Sequence, residues 1–289
     1  MPSFDTPFHT PFDTPEPISV TSTVEAGSIQ FTAVDRLDTL VEVRPRDPKR
    51  DQDVRAAEQT EVRYASGLLT IRTPKGRRLI GPSGAVDVTV ELPTGSAVEV
   101  TGAWAQVHGE GRLGEVRVKV SVGDVRFDTT GPLDLVVSHG SVTVDRVEGP
   151  AEIATSSGSL RIGTVVGTAV LKNSNGTTTL AAVTGDLRVS GTNGGIDIAR
   201  AEASVTGTTS NGHLRVAEVI SGEVRLETSN GPIEVGVREG TAAWLDVSSS
   251  HGQVRNRLPA SEAPGQTEDA VSVRARTNWG NIEILRARG

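Results

Sequence analysis

The chain has 289 residues, 36% of them hydrophobic and only nine aromatic, with 32 glycines, no cysteine and a formal charge of −7. Disulfides, thiolate nucleophiles and cysteine metal sites are excluded, and the acidic balance argues against the basic face that a nucleic-acid binder displays. The apolar residues are mostly Val, Ala, Leu and Ile, which suit a thin core between closely stacked strands better than a thick layered one.

In chain order, the first sixteen residues carry a duplicated Phe-Asp-Thr-Pro and read as a disordered tail. They have no basic n-region and no apolar h-region, so no secretory signal is expected. No stretch of 18 apolar residues is available to span a membrane, and the expected location is the cytoplasm. Residues 17–289 read as one domain, of which 17–95 form irregular first coils and a cap. Within it Gly27–Phe31 and Thr39–Val43 alternate like an early rung, and Asp47–Glu61 (DPKRDQDVRAAEQTE) is the one stretch with a helical look.

Residues 96–257 are regular. A corner glycine recurs at Gly123, Gly140, Gly158, Gly176, Gly194, Gly212 and Gly231, spaced by 17, 18, 18, 18, 18 and 19 residues, then loosens to Gly252 and Gly280. Two residues after it stand Val125, Val142, Leu160, Thr178, Ile196, Leu214 and Ile233; four after it come Phe127, Val144, Ile162, Leu180, Ile198, Val216 and Val235. Such alternation makes a short strand with one buried face. A second marker at Gly131, Gly149, Gly167 and Gly185 opens a second strand, so each unit of about 18 residues is turn, strand, turn, strand.

Two architectures fit short alternating strands. Asn-Gly between strands signals hairpins and an antiparallel β-sandwich. A β-solenoid instead requires the same residue class at the same column in successive coils, each residue lying about 4.8 Å above its equivalent, and column identity favours it. The corner column is the clearest: Ser156, then Ser174-Asn175-Gly176, Asn193-Gly194, Ser210-Asn211-Gly212 and Ser229-Asn230-Gly231. Asn and Gly tolerate left-handed backbone at a corner, the Ser can bond locally to turn backbone, and stacked asparagines can hydrogen-bond along the axis. Residues 258–270 (LPASEAPGQTEDA) read as an inserted surface loop, and 271–289 as the last coil.

The recurrent Ser/Thr-x-Gly-x-Val-x-Val strands, the segment Asp38–Val43 (DTLVEV) and the stretch Asp53–Val62 (DVRAAEQTEV) resemble the bacterial β-strand-repeat "putative adhesin" family, a domain of unknown function common in actinobacteria. The resemblance covers nearly everything after residue 16. It implies a single-stranded β-helix-like solenoid and supplies no catalytic residue. The excess of Arg over Lys, 25 against 4, fits a GC-rich genome of that kind.

Nothing in the columns converges on chemistry. Calcium-binding β-rolls share the 18-residue coil, but the column after the glycine runs Asp124, Ser141, Ser159, Thr177, Gly195, His213 and Pro232, with no aspartate ladder. His139, His213 and His251 read as exposed turn histidines. The third column after the glycine, with Asp197, Arg215, Glu234, Arg255 and Glu283, reads as alternating charges and not as paired carboxylates. Trp104, Trp244 and Trp279 read as corner or end fillers more than as sugar platforms. The expectation is a non-enzymatic scaffold without metal or cofactor that binds a protein partner or itself, and neither nucleic acid nor the membrane interior. A carbohydrate-binding, adhesin-like module is the alternative. A β-helix enzyme acting on polysaccharide, with carboxylates gathered by the 258–270 loop, is the second.

Overall fold

The computed structural model describes residues 8–74, 84–258 and 270–287. It is an all-β solenoid with one short helix, and the chain divides into two compact units, Met1–Asp145 and Arg146–Gly289. No helix among the described residues is long and apolar enough to cross a membrane.

The first unit contains β1 (Phe8–Asp13), β2 (Ser19–Val34), β3 (Asp38–Pro45), α1 (Asp51–Glu58), β4 (Glu61–Ala65), β5 (Leu68–Arg72), β6 (Val86–Pro93), β7 (Ala97–Arg112), β8 (Val116–Val122), β9 (Val125–Thr130) and β10 (Leu133–His139). In the chain, β11 (Val142–Glu148) follows. Alternation at period two sends Val98, Val100, Val107, Val116, Val118 and Phe127 inward, where all are nearly inaccessible. Each such burial stabilises by roughly 1.5–3 kcal/mol. Gly109 makes room for the one bulky ring of this stretch: a Cβ there would lie 2.3 Å from Phe127 Cδ1.

The order of coils in space departs from chain order. β2 runs parallel alongside the whole of β7, from Ser19 opposite Ala97 to Ala33 opposite Gly111. On its other side β2 pairs in parallel with β5 and then with β6. The first long strand is therefore an inner rung, and the chain leaps over it to continue with β7. Beyond that rung the pairing turns antiparallel, β4 on β5, β3 on β6 and β1 on β3. Thr39–Val43, expected as a rung, is part of this antiparallel cap because β6 has already taken the parallel place beside β2.

Of the disordered tail expected over residues 1–16, residues 1–7 lie outside the described residues, and the part from residue 8 on needs correction. Phe8–Asp13 is a strand, since the open edge of β3 offers it backbone partners from Phe8 opposite Val43 to Asp13 opposite Asp38. Thr14 Oγ1 and Thr39 Oγ1 share a buried bond of 2.8 Å, and the Phe12 and Tyr64 rings meet at 5.4 Å. α1 is shorter than the polar stretch that announced it and lies against β3 and β6. Its buried Asp53 accepts from the Ala85 N–H at 3.0 Å and the Asp47 N–H at 3.2 Å, tying the helix to the segment before β6.

The second unit alternates between two parallel sheets. One holds β12 (Ala151–Ser157), β14 (Ala169–Asn175), β16 (Leu187–Asn193), β18 (Val205–Asn211) and β20 (Gly222–Asn230); the other holds β13 (Leu160–Val166), β15 (Thr178–Val183), β17 (Ile196–Ala201), β19 (Leu214–Val219) and β21 (Ile233–Val237). Equivalent residues stack in register, as in Leu160, Thr178, Ile196, Leu214 and Ile233. This register excludes the hairpin sandwich, whose neighbouring strands would be antiparallel.

Four strands complete these two sheets out of chain order. β22 (Ala242–His251) and β23 (Val254–Asn256) come next in the chain, followed by β24 (Ala270–Trp279) and β25 (Ile282–Arg286). Yet β24 pairs with β20 on one side and β22 on the other, and β25 lies likewise between β21 and β23. The coil expected to be last in the stack is thus the penultimate one, and β22 with β23 forms the terminal coil. This explains why the glycine spacing loosens to 21 and 28 residues. The inserted loop expected at 258–270 lies, apart from its two end residues, outside the described residues.

Candidate interaction surface

The corner of the second unit is built by two glycine-dependent contacts. Gly194 has φ +137°, and a Cβ on it would stand 2.1 Å from the Gly176 carbonyl oxygen. Gly176 itself, at φ +134°, would meet the Gly158 oxygen at 2.0 Å. Only glycine fits a corner where each coil's carbonyl points at the next coil's α-carbon. Glycine alone supplies the left-handed backbone here: among the described residues the sole non-glycine with positive φ is Ser66, so the asparagines of the corner are ordinary extended strand ends.

Those asparagines form a continuous exposed row. Asn230 Nδ2 donates to Asn211 Oδ1 at 2.9 Å, Asn211 Nδ2 to Asn193 Oδ1 at 3.0 Å, and Asn193 Nδ2 to Asn175 Oδ1 at 2.8 Å. Asn175 Nδ2 closes the row on the Ser156 carbonyl at 3.1 Å. In the column beside it the serines and threonine of the outer face, Ser174, Thr192, Ser210 and Ser229, are exposed. Beyond Asn230 the corner column continues with Trp279 and then His251, whose rings stack at 3.9 Å with planes 7° apart.

A third row, inside the corner, has no counterpart in the sequence reading. Thr209 Oγ1 donates to the Gly194 carbonyl at 3.4 Å, Thr228 Oγ1 to Gly212 at 3.2 Å, Thr277 Oγ1 to Gly231 at 3.0 Å and Ser249 Oγ to Gly280 at 2.7 Å. Each hydroxyl satisfies the corner carbonyl of the neighbouring coil, which would otherwise cost roughly 1–3 kcal/mol as an orphan. The signal was present as Thr or Ser three residues before the glycine, an inward position that alternation reserves for apolar side chains.

Toward the terminal coil the outer rows open into a polar hollow of about 490 Å³ lined by Thr208, Glu227, Ser229, Ser248, Arg276 and Asn278, among others. Arg276 is held there by Asp246, at 2.9 and 3.2 Å, and donates to Ser248 Oγ at 3.1 Å. On the other sheet the spatial order changes the charge column. Glu234 lies beside Glu283, and Arg255 comes after it, so the expected alternation breaks at two adjacent carboxylates. Each has its own cation: Arg215 Nε donates to Glu234 at 3.1 Å, and Arg257 Nε stands 2.6 Å from Glu283. His213, expected as an exposed turn histidine, is half-buried, and its Nε2 lies 2.9 Å from Asp197 Oδ2. The tryptophans are not fillers either: Trp244 is 73%, Trp104 66% and Trp279 59% exposed. Trp279 ends β24 on the corner column, whereas Trp104 lies midway along β7, opposite Ala26 and Val122.

Among the solved structures similar to this chain are two of bacterial origin. One is a "putative cell adhesion protein" from Clostridium sporogenes, 11% identical, matched over 97% of this chain and 100% of that one with a TM-score of 0.23. The other is a "putative adhesin" from Bacteroides fragilis, 12% identical, matched over 97% of both chains with a TM-score of 0.37. None of the curated proteins compared matches. The model of the Toastrack family DUF4097 matches residues 23–285, and the chain belongs to that family.

Proposed function

We propose that the chain is a non-enzymatic interaction module that docks a protein partner along the polar corner of the second unit. The observation that supports this most is the asparagine row, four exposed side chains locked to one another at 2.8–3.0 Å along successive coils. Side chains already fixed lose little freedom when a partner settles on them, which favours binding. The flanking serine row and the hollow around Arg276 extend the same surface with donors and acceptors at the coil spacing. Affinity capture from native cells tests it. Ser210→Arg with Ser229→Arg should place two bulky cations on the face and lose a partner that the unaltered chain retains. A partner retained equally by both would remove the corner from consideration.

A second reading has its own observation. Exposed Trp244 lies on the same outer face as Asp246, and indole beside a polar row is a surface on which sugar rings stack. Titration with oligosaccharides, followed by tryptophan fluorescence, decides it: an unmoved spectrum sets the glycan reading aside. Fractionating the cells separates the two further, because a surface glycan is reachable only from the envelope or the medium.

A further inference from the structure

We propose that the terminal coil of the second unit is a self-association edge, on which β22 pairs antiparallel with its own counterpart in a second copy of this chain. This goes beyond the corner surface and stands or fails without it.

The inward columns mark the edge. Val224 and Val273 are fully buried, whereas Leu245, next in the same column, is half-buried; Leu226 and Ala275 are followed in the same way by half-buried Val247. On the other sheet Ile233 and Ile282 are buried and Val254 is 42% exposed. Among the described residues, β22 pairs with β24 alone and β23 with β25 alone. Among the described residues nothing covers this end of the core or pairs with the outer edge of the ten-residue β22.

Exposed strand edges are usually guarded by charge, proline, bulges or short length. β22 reads AAWLDVSSSH: it is long, contains no proline and carries Asp246 as its one carboxylate or amine charge, already held by Arg276. The cap strands of the first unit show the contrast. β1 contains Pro11, and β4 is five residues long with Glu61 and Arg63 pointing outward. Guarded edges there do not offer a complementary surface for head-to-tail growth, which leaves like pairing with like.

Antiparallel pairing centred on Val247 is self-compatible. It sets Val247 against Val247, Leu245 against Ser249 and Asp246 against Ser248, so no like charges face each other. A strand of ten residues is about 33 Å long and facing sheets lie about 10 Å apart, so each end offers roughly 330 Å² and the pair roughly 660 Å², the size of a weak, concentration-dependent contact.

Sedimentation equilibrium of the full chain provides the test. The expected result is a concentration-dependent species of twice 30.3 kDa. Val247→Lys should return the mass to 30.3 kDa, with an unchanged circular dichroism spectrum. Val247→Cys guards against a variant that fails to fold: the natural chain has no cysteine, so oxidation should give a disulfide-linked dimer, while Val136→Cys on an outer face should not. A monomer across the whole concentration range overturns the proposal. So do species larger than the dimer, a dimer untouched by Val247→Lys, or cross-linking equal in the two cysteine variants.

Discussion

The first coils of the first unit and the final coils of the second solve one problem with opposite means. In the first unit, β2 is tucked inside the rung made by β5 and β6, and antiparallel strands and α1 then cover that rung. In the second, β24 and β25 are tucked inside the rung made by β22 and β23, and among the described residues nothing further pairs with it. Both arrangements bury one coil, out of chain order, between two others, which protects it from fraying. Only the first spends residues on blunting the edge that remains. The lesson is that an edge is a choice of sequence, since the same backbone device is closed with Pro11, Glu61 and Arg63 in one unit and left as AAWLDVSSSH in the other.

Substitutions can sharpen the contrast between the repetitive second unit and the capped first one. The largest effect is expected at the stacked corner. Gly194→Ala brings a Cβ to 2.1 Å from a backbone oxygen in a left-handed residue and should cost about 3 kcal/mol or more. Gly67, in the β4–β5 turn, has φ +78° with nothing within 4 Å of the place a methyl group would take. Gly67→Ala should therefore cost only about 1 kcal/mol, for the conformation alone. Urea unfolding compares them directly; equal losses would show that backbone conformation, and not coil contact, sets the requirement for glycine.

An intermediate effect is expected from the asparagine row. Asn211→Val with Asn230→Val removes the bonds Asn193–Asn211 and Asn211–Asn230 from an exposed face, about 1–2 kcal/mol together. An unchanged melting temperature would mean that the row organises the surface without supporting the coils.

The smallest effect belongs to the cap. Arg36 holds Asp38 through Nε and Nη2 at 2.8 and 3.0 Å and also pairs with Glu91, and its hydrogen bonds lower the Asp38 pKa below the ordinary carboxylate value of 3.8. A carboxylate lowered on folding contributes stability that is present above its unfolded pKa and lost as the pH falls through the folded one. Asp38→Asn should accordingly flatten the stability curve slightly at the acid end, below about pH 4, and leave its slope unchanged near neutrality. A variant whose acid limb runs parallel to that of the unaltered chain would assign the residue a role in packing and not in charge.

Much of this was legible in the residues themselves. Glycine at intervals of 18 announced the coil, and alternation from Leu160 to Ile233 announced which side chains face inward, because a parallel in-register ladder places like upon like. The corner column could be read for the same reason. The inner hydroxyl row left a trace in the recurring Thr or Ser three residues before the glycine, but its role did not show, since Thr209 and Thr228 occupy positions that a period-two pattern assigns to the core and only the carbonyls of Gly194 and Gly212 reveal why hydroxyls belong there. The strand at Phe8–Asp13 escaped for another reason: its partner, the open side of β3, exists only after β6 has claimed the other side.

The sequence by itself determined the coil, its period, its buried columns and its corners. Tertiary structure alone decided which coil neighbours which at the two ends, and with it the adjacency of Glu234 and Glu283, the stacking of His251 on Trp279 and the identity of the terminal edge. The physical reason is that backbone ladders accept any strand of the right period and phase. Periodicity states that a rung will stack, but the order of rungs follows from which surfaces remain unpaired when the last segments arrive.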